Sequence, residues 1–154
     1  MADDPRAAGA GGDANGGANN DGDGEQRDAQ FANDLERFTA WWTAPHSLTR
    51  HDAALGTTTV TEHAQWARRY RAYEGARAAS VRDLVADIAC FIRFLDSHQD
   101  KSAGSRASYC NSMLSLLKYA HAPFSEADPP REIVLVRNQR SQLQSAYVVD
   151  LRSR

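Results

Sequence analysis

Two cysteines are all the chain has, and both Cys90 and Cys110 fall inside apolar helical periodicity. They read as buried, reduced thiols, which excludes a disulfide framework and a cysteine metal site. No apolar run approaches the ~18 residues a membrane span needs, and the acidic, Gly-rich start lacks the basic-then-apolar order of a secretory signal. A soluble, intracellular protein without a membrane partner is expected, nuclear if the cell is eukaryotic. There is no Gly-rich phosphate loop, no Cys/His metal spacing and no nucleophile set beside a base. Hence no catalytic residue, metal or cofactor is expected. His46, His51 and Asp52 lie close together, but no helical or strand spacing fixes their geometry as ligands.

What is present divides the chain unevenly. Residues 1–28 are mostly Gly, Ala, Asn and Asp, with seven acids against Arg6 and Arg27, a net of −5; out of −2 overall, that leaves +3 for residues 29–154. The leader cannot bury enough apolar surface to offset the entropy of ordering and is expected to be a disordered, acidic tail. The remainder, mildly basic, is compatible with a polyanionic partner.

Apolar periodicity of 3.6 then recurs along the chain. Residues 29–58 lead in with a short helix carrying Phe31, Leu35, Phe38 and Trp42, ending before Pro45 and followed by a polar loop. Trp41 cannot share a face with Trp42, so one belongs to the core and the other to a neighbouring loop or a partner. Thr59 and Glu62 match a capping box, and the helix after them carries Trp66, Tyr70 and Tyr73 and stops at Gly75, with Arg68, Arg69 and Arg71 on its other face. Ser80, with Asp83 three residues on, starts a helix through Val81, Leu84, Ile88, Phe91, Ile92 and Leu95. After a polar break, Tyr109, Met113, Leu116, Leu117 and Ala120 form the stripe of another, and the short break implies two helices packed stripe to stripe. Asp128-Pro129-Pro130 reads as the start of a last helix, with Arg137 and Arg140 side by side. The expected fold is all-α: a small four- to five-helix bundle, with helices near 30–43, 59–74, 81–97, 104–121 and 130–146 and no sheet.

The order Thr59, Trp66, Tyr70, Tyr73, then Ser80-Val-Arg-Asp-Leu and Phe91-Ile-Arg-Phe-Leu95, then Ser102-Ala-Gly-Ser105 and Met113-Leu-Ser-Leu-Leu117-Lys-Tyr119, resembles the N-terminal core-binding, SAM-like domain of tyrosine recombinases and phage-type integrases. The likeness covers residues 59–122, with 123–154 as a linker and basic C-terminal helix. It implies a DNA-binding clamp that holds duplex DNA during recombination or integration while a separate catalytic domain cuts, as in a mobile element. The family's chemistry needs a tyrosine beside arginines and a His-x-x-Arg. No His-x-x-Arg occurs here, and only about thirty residues follow Pro123, fewer than the ~50 of a small domain. A core-binding unit with no cleavage activity of its own is therefore expected.

The candidate DNA contacts are Arg68, Arg69, Lys101, Ser105, Arg106, Asn111, Lys118, Arg137 and Arg140. A helix start offering free N–H groups, with Lys101, Ser105 and Arg106 around it, suits a phosphate, and Asn111 lies where it can reach a base edge or a second phosphate. Ser102 and Ser105 equally suit helix capping. The competing reading is a helical protein-interaction module docking through Trp41, Trp42 and Tyr73, with the arginines as a solvated face. Arginines gathered on one face favour DNA.

Overall fold

The computed structural model describes residues 13–152, which form six helices: α1 (Asp13–Thr43), α2 (Thr57–Tyr73), α3 (Val81–Leu84), α4 (Ile88–Asp96), α5 (Ala103–Ala120) and α6 (Arg131–Arg152). The fold is all-α, and among the described residues the sole β-type pairing is an isolated bridge between Ser125 and Asp128. Ile133–Val136, β-prone in isolation, is helical. No described helix is long and apolar enough to cross a membrane.

α1 departs from expectation at its start. Residues 1–12 of the expected tail lie outside the described residues, but 13–28 continue the helix backwards from the anchored part. Extending a helix that already exists costs only propagation, and Glu25, Gln26, Arg27, Ala29 and Gln30 are good helix formers. Phe31, Leu35, Phe38 and Trp42 are buried, as their spacing requires. The Trp42 indole donates to the Ser115 carbonyl at 3.0 Å, while Trp41 turns to the loop and donates to Thr49 Oγ1 at 2.8 Å. α1 has no basic residue in its last turn. Arg50 supplies the charge from the loop, its guanidinium donating to the carbonyls of Trp41 and Ala44 and, through Nε, of Asp52.

α2 starts at Thr57 with Gly56 as its N-cap and no side-chain cap, so the Thr59–Glu62 box does not form. Its end is as expected: Gly75 has φ +98°, where a side chain would be strained. Arg71 does not join Arg68 and Arg69 on the solvent face. It is buried, donates to the Ala78 and Ala76 carbonyls, pairs with Asp28 at 2.8 Å and lies over the Phe31 ring. That set fastens α2 to α1 and to the turn before α3.

The single helix expected over 81–97 is two. Ser80 caps α3 by accepting from Asp83 N, and Asp87 caps α4 by accepting from Cys90 N at 3.2 Å. A short polar side chain that can hold a backbone N–H competes with continuation of the helix, and at Asp87 it wins. The last helix starts at Arg131, so Asp128 is not its cap.

The centre of the molecule is α5, not an α4–α5 pair. It packs most extensively on α6, then on α2, and touches α1 and α3. Cys110, Met113, Leu116 and Leu117 are wholly buried, and Ser112 and Ser115 are buried with them. Ile133, Val136 and Leu143 of α6 close the same core.

Candidate nucleic-acid interface

A helix buried on nearly every side has little left to show solvent. Along α5 only Ser108 and Asn111 are exposed. Their spacing of three residues stacks them on one strip of the helix. On one side of the strip, between α5 and α2, lies an open cleft of about 710 Å³ lined by Glu62, His63, Gln65, Arg69, Tyr109 and Ser112. On the other, between α5 and α6, a cleft of about 500 Å³ is lined by Ser102, Gly104, Ser105, Gln144 and Tyr147. Ser108 and Asn111 line both.

Two of the expected arginines reach this strip from opposite flanks. Arg69 is exposed on α2 with its guanidinium 6.0 Å from the centre of the Tyr109 ring, a cation–π distance. Arg140, on α6, donates through Nη1 to Asn111 Oδ1 at 3.1 Å. Arg106 and Arg140 both act on the thiol beneath: burial pushes Cys110 up to about 11 against the pull of these two cations. The Nε atoms of both are buried without a protein partner.

The other candidates are placed differently. Arg68 is exposed on α2, and Lys101 is exposed in the turn before α5. Ser105 is engaged with the Ser102 cap: its N–H donates to Ser102 Oγ at 3.1 Å and its own hydroxyl accepts from Ser102 at 3.1 Å, at the edge of the cleft. Lys118 pairs with Asp52 at 3.1 Å, and Arg137 with Glu126 at 3.2 Å. These two cations are therefore partly neutralised within the protein. His51 Nε2 bonds the Phe124 carbonyl at 2.7 Å.

His63, Ser108, Gln144 and Tyr147 are lining residues that periodicity does not single out. His63 Nδ1 lies 2.9 Å from Ser112 Oγ, bridging α2 to α5. Burial lowers its pKa below 6.5 despite the opposing pull of Glu62, so at neutral pH the ring adds no charge to the cleft. Of the expected docking aromatics, Trp42 is taken up by the core, Trp41 is half-buried, and Tyr73 remains exposed against Phe94. Comparison with family models, with curated proteins and with solved structures returns no match.

Proposed function

We propose that the protein binds duplex DNA through the Ser108–Asn111 strip of α5, gripping the backbone and having no cleavage activity of its own. One observation carries this reading: Arg69 and Arg140, far apart in sequence, approach the same uncharged, hydroxyl- and amide-bearing strip from its two sides. Cations flanking small polar donors suit a phosphate chain, because the cations supply attraction and the donors fix position. Arg106 lies next to the strip on α5, while Lys101 and Arg68 are exposed on the turn before α5 and on α2. A duplex-gripping unit with a separate catalytic domain as partner is also what the resemblance to recombinase core-binding domains implies. Of the three aromatics in the interaction-module reading, Trp42 is buried and Tyr73 is exposed.

Binding should be weak, sequence-tolerant in its main energy and steeply salt-dependent, with a slope of about −0.9 per neutralised phosphate. Arg69→Ala is expected to flatten that slope by about one unit and to weaken all sequences alike. Lys118→Ala, whose ammonium already faces Asp52, should leave the slope nearly unchanged. Anisotropy titrations of a labelled duplex at two salt concentrations measure both. Absence of binding by the full chain at low salt refutes the reading.

A further inference from the structure

Among the side chains lining the α2–α5 cleft, His63 is the one whose ordinary titration range falls between about pH 5 and about pH 8. Its Nδ1 is fixed at 2.9 Å from Ser112 Oγ, and Ser112 is more than nine-tenths buried. A hydroxyl can give or accept a hydrogen bond, so this anchor serves the neutral ring and the imidazolium alike. Nε2 has no protein partner among the described residues and is not buried, so it is the ring nitrogen that solvent reaches. We propose that His63 contacts a DNA phosphate through Nε2 as an imidazolium, so that duplex binding takes up a proton from solution; the inference rests on the duplex-binding reading above.

The charges around the ring decide when it takes the proton. Glu62 and Arg69 of α2 and Tyr109 of α5 line the same cleft, and Arg140 of α6 reaches Asn111 at its edge. Burial outweighs the pull of Glu62, and the ring of the free protein is neutral at neutral pH. A phosphate drawn into the cleft by Arg69 adds negative charge close to the imidazole, which raises its pKa. Between the free and the bound pKa, binding carries a proton with it. Affinity therefore climbs as pH falls through the bound value and levels off below the free one. A ring that merely pins α2 to α5 uses Nδ1 alone and takes up no proton on binding.

Anisotropy titrations of a labelled duplex with the full chain, at fixed ionic strength and at about pH 7.5 and about pH 5.5, test this, with circular dichroism showing that the chain is folded at both. Wild type should bind about tenfold tighter at the lower pH, the equivalent of one pH unit of displaced titration. Its salt slope should steepen by about 0.9, the share of one further phosphate. The other histidines gain charge over the same range, and His63→Gln, which takes up no proton, measures their contribution; its gain should be several-fold smaller than that of wild type. A second measurement needs no variant: the imidazole NMR signals of the wild-type chain are followed against pH with and without duplex, and the His63 midpoint should rise by about one pH unit on binding. If duplex binds but His63→Gln gains as much as wild type, or the His63 midpoint stays where it was, this inference fails alone. If wild type binds no duplex at low salt at either pH, it falls together with the reading beneath it.

Discussion

Asp34 illustrates how one half-buried side chain can hold three elements. Its carboxylate accepts from the Val81 N–H at 2.7 Å and from the Tyr119 hydroxyl at 2.7 Å, tying α1 to the start of α3 and the end of α5. Burial, then the bond to Asp34, raises the Tyr119 pKa well above the usual phenol range, so the hydroxyl stays a donor at any working pH. Asp34→Ala leaves an N–H and a hydroxyl without their acceptor, and a loss of about 1–3 kcal/mol is expected by urea denaturation. His63 gives a second effect, this one dependent on pH. Its pKa is lowered in the fold, so the unfolded chain takes up the proton first as pH falls through 6.5. The associated stability is fully present above that value and is lost on acidification, until the folded pKa is passed. His63→Gln should therefore lose less stability than wild type when urea midpoints are compared between about pH 7.5 and about pH 5.5. An equal loss in both would show that other groups carry the acid sensitivity.

At the scale of elements, Leu117 tests whether α5 is the centre. It is wholly buried, and Leu117→Ala should cost about 2–5 kcal/mol, read as a lowered denaturation midpoint. A change below about half a kcal/mol, typical of surface sites, would contradict that burial. The existence and kind of each main helix were legible from periodicity, because Phe31, Leu35, Phe38 and Trp42 repeat at a spacing that only a helix turns to one side. What could not be read was set by local competition or by distance in sequence. Asp87 looks like an ordinary polar residue on a helix face until its carboxylate is found on the Cys90 N–H, ending one helix and starting another. Arg71 sits in a run with Arg68 and Arg69, and sequence has no way to tell that carbonyls of residues 76 and 78 turn back to receive it. The site was legible in part. Arg69, Asn111 and Arg140 are recoverable as candidates from type and helical position, but the bond from Arg140 to Asn111 and the cleft that Arg69 and Asn111 share are tertiary facts, as are the ion pairs that engage Lys118 and Arg137.

For the molecule as a whole, the decisive feature is that α5 is enclosed by its neighbours and opens to solvent chiefly at Ser108 and Asn111. Its backbone amides can be released only by opening the structure around them, so they belong to the slowest-exchanging part of the protein. A duplex resting on the strip would add little protection to amides that already exchange last. The footprint of bound DNA in hydrogen exchange should therefore appear on the exposed turns of α2 around Arg69 and of α6 around Arg140, with α5 itself almost silent. Increased protection confined to residues 107–117 on adding duplex would contradict this. On the duplex-binding proposal, the helix that would carry the contact is thus the one a backbone probe reports least, and side-chain amide signals from Asn111 are where binding would be visible.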